Sequence, residues 1–347
     1  MQTHRVLAAL AAATVFAAGL SAGPAAAEEL AVYAWSGELP DEIVKDFEKE
    51  TGITVRFDTF DSNETLIAKL SAGGSGYDIV NPSQYAVQIL AKQGLVVDLD
   101  HAKIPNLAGL SETFKAVSYD PGNKVSVPYV WGTTGLAYNT DCVTSPVTSW
   151  KAMWDPAYKG RIYMLDNMLA AYIAGLQVNG FPANSTNPDE IAKATQSLID
   201  QKPLLGGYNS TNFADLVSSG EACIVEAWSG NVLQVMKDNP KVKYVLPEEG
   251  GTMWVDGYSI TKDAPNPVAA YKFLDYLLRP AVATKVTELA QLATSVEASK
   301  AMLPAATAGN TAIFPPAESL AKADFILDLG PATKLYQDGW TKVKAAQ

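Results

Sequence analysis

Trp254 and Asp256 stand two positions apart in the run Thr252-Met253-Trp254-Val255-Asp256-Gly257-Tyr258-Ser259-Ile260, whose aromatic and β-branched residues read as a strand. On a strand, positions i and i+2 share a face, so the pair can offer one ligand a ring and a carboxylate together. Burying an ammonium without a partner is costly, and an aromatic face contributes about 0.5–2 kcal/mol toward holding it. The chemistry this suggests is recognition of an amine. The competing reading is a packed tryptophan beside a solvated aspartate. Trp228, followed by Ser229-Gly230, is a second tryptophan beside a turn.

Catalytic signatures are thin by comparison. Ala72-Gly73-Gly74-Ser75-Gly76 is glycine-rich but lacks the lysine of a phosphate-binding loop and the spacing of a nucleophile elbow. There are two histidines, and any zinc site or Ser-His-Asp triad would have to use one of them. His4 falls in the expected leader, and His101 lies in the polar stretch Asp98-Leu99-Asp100-His101, where a surface role is the simpler reading. The expectation is a binding protein rather than an enzyme, with no cofactor and no metal.

The chain has 347 residues, 26 basic and 37 acidic, for a net charge of −11. Such a balance disfavours a nucleic-acid partner, which would require a basic face, and docking on anionic lipid. It permits a cationic ligand, because net charge governs steering more than site chemistry. Residues 1–27 carry Arg5, an apolar run over 6–20 and the small-residue end Pro24-Ala25-Ala26-Ala27. That order is the pattern of a cleavable secretory leader, and the run is too short for a membrane span of about 20 apolar residues. Cleavage after Ala27 takes the net charge from −11 to −12 and leaves His101 as the one imidazole. The expected product is a soluble monomer of the periplasm, without membrane insertion. That compartment is oxidising, so Cys142 and Cys223 are candidates for a disulfide, the alternative being two buried thiols.

The elements that must position these residues follow from periodicity. Residues 30–35 read as a strand, 41–50 as a helix with Ile43, Val44 and Phe47 on one face, and 53–57 as a half-buried strand. Residues 62–71 return to helical spacing, and 77–80 form a buried strand stopped by Asn81-Pro82. Strands alternating with helices imply a largely parallel sheet, whose ligands bind at the carboxyl ends of strands. Trp35-Ser36 and Pro82-Ser83-Gln84-Tyr85 are such exits, each with an aromatic and a hydroxyl. A second α/β stretch begins near Gly135 and includes residues 160–166, a helix over 188–200, and strands over 222–228 and 252–260. Two domains joined without a long linker suggest a hinge that closes around a ligand.

Several segments together resemble the periplasmic polyamine-binding proteins of spermidine/putrescine ABC transporters. They are Tyr33-Ala34-Trp35-Ser36, the stretch from Phe47 to Val55, Ser62-Asn63-Glu64-Thr65, and Tyr77-Asp78-Ile79-Val80-Asn81-Pro82-Ser83. Val127-Pro128-Tyr129-Val130-Trp131-Gly132, Val147-Thr148-Ser149-Trp150, Pro247-Glu248-Glu249-Gly250-Gly251 and Leu277-Leu278-Arg279-Pro280 follow in the same order. The resemblance implies a two-lobed α/β fold of the periplasmic-binding-protein type II kind, with a hinge, an interlobe cleft and an inner-membrane ABC permease as partner. Lobe one would comprise residues 28–135 plus 258–302, and lobe two 136–257 plus 303–347, with crossing strands near Tyr138 and Asp256. The family's aromatic box, hydroxyls and carboxylate are matched by Trp35, Ser36, Ser83, Tyr85, Trp228, Trp254 and Asp256.

The departures bear on the ligand. Where the family has an acidic residue after the first-strand tryptophan, this chain has Gly37, with Glu38 one position later. Two further carboxylates of lobe two align with Asn167 and Ala170, next to Asp166, and a late glutamine aligns with Ile326. Glu38, Asp166, Asn167 and Glu226 are therefore secondary ligand-binding candidates. The expected ligand is putrescine or spermidine. The alternative is a monocation or zwitterion such as 4-aminobutyrate, whose carboxylate would need Arg56, Arg161 or Arg279, and a more distant one is an exported enzyme on the same fold.

Overall fold

The computed structural model describes residues 28–346; the expected leader over 1–27 lies outside the described residues. Strand β1 (Glu29–Trp35) is buried from Leu30 to Ala34, as a strand flanked on both sides must be. It pairs in parallel with β2 (Thr54–Phe60) and with β3 (Ile79–Val80). Between β1 and β2, helix α1 (Asp41–Thr51) buries Ile43 and Phe47 and stops at Gly52. The left-handed φ of +72° there lets the Gly52 N–H reach the Glu48 carbonyl at 2.8 Å. Helix α2 (Asn63–Ser71) is capped by the Ser62 hydroxyl, which accepts the Thr65 N–H at 3.1 Å. Helix α3 (Gln84–Lys92) starts immediately after Ser83. Trp35 at the end of β1 and Ser83 just past β3 thus reach the same carboxyl edge.

The other half of the molecule hangs on two long strands. They are β4 (Val127–Asn139) and, after β5 (Ile162–Met164), β6 (Leu205–Tyr208), β7 (Ile224–Trp228) and β8 (Val242–Val245), β9 (Thr252–Ile260). Two short strands, β10 (Ala293–Thr294) and β11 (Asp324–Phe325), follow. The path through the sheet is β2-β1-β3-β9-β4-β7-β5-β6, with β8 and β10 on β4 and β11 on β9. Parallel sets at each end are therefore joined through the antiparallel β9, β4 and β7.

The apolar cores follow this division. One runs from Leu30 through Val130 and Trp131, then Val255, Tyr258 and the helix Pro267–Leu277. Two others fill the second half, one around Leu136, Trp150, Tyr172 and Tyr336 and one around Ala137, Phe213 and Val225. Strand β4 passes from the first core to the second between Trp131 and Leu136. The first core also takes in Ala312 and Ile313, residues placed in lobe two from sequence. The two-lobed α/β architecture expected from sequence is the one observed.

One element differs from the sequence reading. A single strand of 13 residues, β4, occupies the region where the second stretch was expected to begin at Gly135. Pro128, Gly132 and Gly135 hide its strand pattern. The glycines are there for close approach: a Cβ at 132 would collide with the Trp254 ring and the Ser229 hydroxyl, and one at 135 with Val245 and Tyr244.

Candidate ligand-binding site

Asp256 lies in β9, 5% exposed, and forms an isolated bridge with Ser83. The Ser83 hydroxyl donates to Asp256 Oδ1 at 2.5 Å. Asn63, the first residue of α2, holds Ser83 from both sides: its carbonyl accepts the Ser83 N–H at 3.1 Å and its amide donates to Ser83 Oγ at 3.1 Å. The same amide donates to the Tyr85 hydroxyl at 3.0 Å, and Tyr85 donates onward to Glu64 at 3.4 Å. Sequence reasoning named Ser83, Tyr85 and Asp256 but missed Asn63. Its signal was a polar residue at the start of a capped helix, ordinarily a surface position, here 4% exposed.

The turn after β1 brings in a second carboxyl. Gly37 adopts φ +84°, which carries Glu38 back toward the strand edge. The carboxyls of Glu38 and Asp256 then lie within hydrogen-bonding reach of one another. Burial first, and the charge of Asp256 second, hold Glu38 protonated well above the usual carboxylate range. Burial also pushes Asp256 up, to about 6, against the opposing pull of Ser83, Glu38 and the nearby Trp35 N–H. Glu38 Oε2 and the indole N–H groups of Trp35 and Trp254 are buried with no hydrogen-bond partner among the described residues. The Trp35 indole thus lies beside the two carboxyls, and Trp254 shares a face of β9 with Asp256 two residues away. Ser36 is exposed in the same turn and bonds to none of them.

The register of the sheet extends this site. Trp254 pairs with Gly132, Thr252 with Thr134, Thr134 with Trp228 and Leu136 with Glu226. Directly opposed residues share a face, so Asp256, Trp254, Thr134, Trp228 and Glu226 form one stripe across the junction of the lobes. Trp228 closes β7 and packs edge-on against Phe213, ring centres 5.8 Å apart.

The remaining candidates have other duties. Asp166 is ion-paired with Lys344 at 2.7 Å at the surface. Asn167 caps the helix Met168–Gln177 by accepting the Ala170 N–H at 3.0 Å, and Ala170 is core. Each arginine among the described residues is likewise engaged: Arg56 with Glu29 and Asp58, Arg279 with Glu50, and Arg161 with the carbonyls of Gly220 and Glu221. Arg161 is exposed and held at the entry to β7, the end opposite Trp228. Cys142 and Cys223 are joined as a disulfide, Cα atoms 5.7 Å apart, inside the second lobe. No cluster of three or more metal-ligating side chains and no helix long and apolar enough to cross a membrane occurs among the described residues.

Two lobes joined by crossing strands, with carboxyls and indoles gathered where they meet, define a solute-binding protein. The comparisons with known proteins agree. Residues 42–343 match the model of the bacterial extracellular solute-binding protein family, and the chain belongs to that family. It is 34% identical over 341 residues to the spermidine/putrescine-binding periplasmic protein of Escherichia coli, covering 97% of this chain and 98% of the relative. The Salmonella typhimurium protein of the same name is 33% identical, with the same coverage. Among solved structures, the spermidine/putrescine ABC transporter substrate-binding protein of Streptococcus pneumoniae superposes with a TM-score of 0.84 at 30% identity, covering 92% of this chain and 99% of that one. The type II arrangement expected from sequence is thereby established.

Proposed function

We propose that this chain captures a polyamine, putrescine or spermidine, between its lobes in the periplasm and delivers it, as a monomer and without chemical turnover, to an inner-membrane ABC permease. The observation that carries the reading is the buried pair Glu38–Asp256, backed by Ser83 and flanked by Trp35 and Trp254. An ammonium entering there gives two carboxyls the counter-charge they lack, and the indole faces cover the adjoining methylenes. The names of the relatives support the same ligand class. Glu38 takes the place of the acidic residue that the family has where this chain has Gly37. A zwitterion such as 4-aminobutyrate fits less well, because the arginines that would receive its carboxylate are engaged elsewhere. We take lobe one as residues 28–135 plus 258–302, joined by the packed residues around Ala312, and lobe two as 136–257 plus the rest of the tail.

A thermal-shift series with the purified chain and putrescine, spermidine, 4-aminobutyrate and a sugar tests the proposal. A ligand at 100 times its Kd stabilises by about 2.7 kcal/mol, so the polyamines should raise Tm by several degrees while the others leave it unchanged. A shift with 4-aminobutyrate or sugar alone would refute it.

A further inference from the structure

Strand β4 changes register against β9 beside Asp256. Pro128 pairs with Gly257 and Val130 with Asp256, which leaves Tyr129 as the extra residue of a β-bulge. Bulges re-aim a side chain, and this one has identifiable supports. Gly257 lets the two strands approach, since a Cβ there would meet the Val127 carbonyl at 2.7 Å. Ser295, buried just past β10, donates its hydroxyl to the Pro128 carbonyl at 2.6 Å and its N–H to the Tyr129 carbonyl at 3.0 Å. Tyr258 lies two residues after Asp256 on β9 and so shares its face. The Tyr129 ring packs beside that of Tyr258, centres 5.2 Å apart. From there the Tyr129 hydroxyl donates to the Glu38 carbonyl at 3.2 Å. No other side chain among the described residues bonds the backbone of the turn over 36–39.

Resting on the amine reading above, we infer that Tyr129 is a positioning residue for amine recognition: from its bulge on β4 it fixes the turn that brings the Glu38 carboxyl to Asp256. The two carboxyls are held differently. Asp256 sits within β9 and is bonded by Ser83. Glu38 sits in a turn that leaves β1 through the exposed Ser36 and Gly37, and Gly37, at φ +84°, is the residue type with the widest choice of conformations. The turn alone therefore leaves the direction of Glu38 open, and the Tyr129 hydroxyl ties it to the strand that pairs with Asp256. Both carboxyls then answer to the same pair of crossing strands. Tyr258 supplies the contrast: its ring lies alongside, but its hydroxyl is buried with no partner among the described residues.

A double-mutant cycle read by calorimetric titration of the intact chain with spermidine tests this, using the wild type, Tyr129→Phe, Glu38→Gln and the two combined. Phe keeps the ring against Tyr258 and removes only the donor. Tyr129→Phe is expected to weaken binding about fivefold in the wild-type background, the worth of one neutral hydrogen bond, and by less than about twofold in the Glu38→Gln background, where there is no carboxylate left to position. Tyr258→Phe, which removes a hydroxyl without a partner, should cost less than about twofold. A hydroxyl with a merely structural role would cost the same in both backgrounds. Equal losses in the two backgrounds, no loss from Tyr129→Phe, or an equal loss from Tyr258→Phe overturns the positioning role while leaving amine recognition at Glu38 and Asp256 standing. Absence of spermidine binding by the wild type overturns the amine reading and the positioning role with it. If Tyr129→Phe does not fold, Ser295→Ala takes its place in the cycle, with the same dependence on Glu38 expected and an additive or absent effect overturning the assignment.

Discussion

The carboxyl of Glu38, carried back by the turn at Gly37, meets the carboxyl of Asp256 in the first lobe's half of the junction, where a single proton can bond the two. Two carboxyls so close cannot both ionise in a buried site without a cation. In the unliganded protein the proton does that work; under the proposed function the ligand's ammonium replaces it on binding.

Substitution at this pair should therefore weaken amine binding directly. Asp256→Ala should cost at least tenfold in affinity by calorimetry, by the roughly 2–5 kcal/mol typical of breaking a desolvated charge pair. Glu38→Gln should cost less, because Asp256 and Ser83 remain, and circular dichroism should show both variants folded. Unchanged affinity in Asp256→Ala would remove this residue from the site.

Binding should also release protons. Asp256 titrates at about 6 and Glu38 well above its ordinary 4.5, so at pH 6 the ammonium must displace a proton. Affinity should fall as pH drops from 7 to 5, and the binding enthalpy at pH 6 should vary with the ionisation enthalpy of the buffer. Stability of the free protein runs the other way. These carboxyls, and Glu226 at about 8, bind protons more tightly folded than unfolded. Their stabilisation is fully present below the unfolded carboxylate range and is lost as pH rises through the folded values. A ligand-free Tm that climbs from pH 5 to 8 would contradict the pair's burial.

Gly132 provides a third test. A Cβ there collides with the Trp254 ring and Ser229. Gly132→Ala should displace the indole, lower Tm and weaken binding by tenfold or more, whereas Gly109→Ala, at an exposed position with open space around it and no left-handed φ, should leave binding untouched. Equal effects would indicate general destabilisation.

The disulfide is separable from binding. Cys142 and Cys223 close 81 residues within lobe two, a constraint worth roughly 4 kcal/mol in the chain-entropy account. Cys142→Ser with Cys223→Ser should lower Tm markedly and leave polyamine affinity within a few-fold at a temperature where the protein remains folded. A large loss of affinity would tie the bridge to the site.

Much of this was legible in the sequence, for identifiable reasons. The alternation in β9 placed Trp254 beside Asp256, the strand exits marked Trp35 and Ser83, and helical spacing with a terminal glycine gave α1 nearly residue for residue. Strand β4 was half hidden, because Gly132 and Gly135 answer to neighbours 100 residues away rather than to strand propensity. Glu38 could be named but not located, since its position depends on a left-handed turn. Asp166 looked as available as Glu226; only packing shows the first paired with Lys344 and the second buried with an idle oxygen.

The most direct test of the central claim is a calorimetric titration of the purified wild-type chain with spermidine at pH 7.5, alongside the Glu38→Gln, Asp256→Asn double variant. The account predicts saturable one-to-one binding by the wild type and a loss of a hundredfold or more in the variant. Binding of equal strength to both proteins, or no heat from the wild type while a non-amine solute binds, would contradict it.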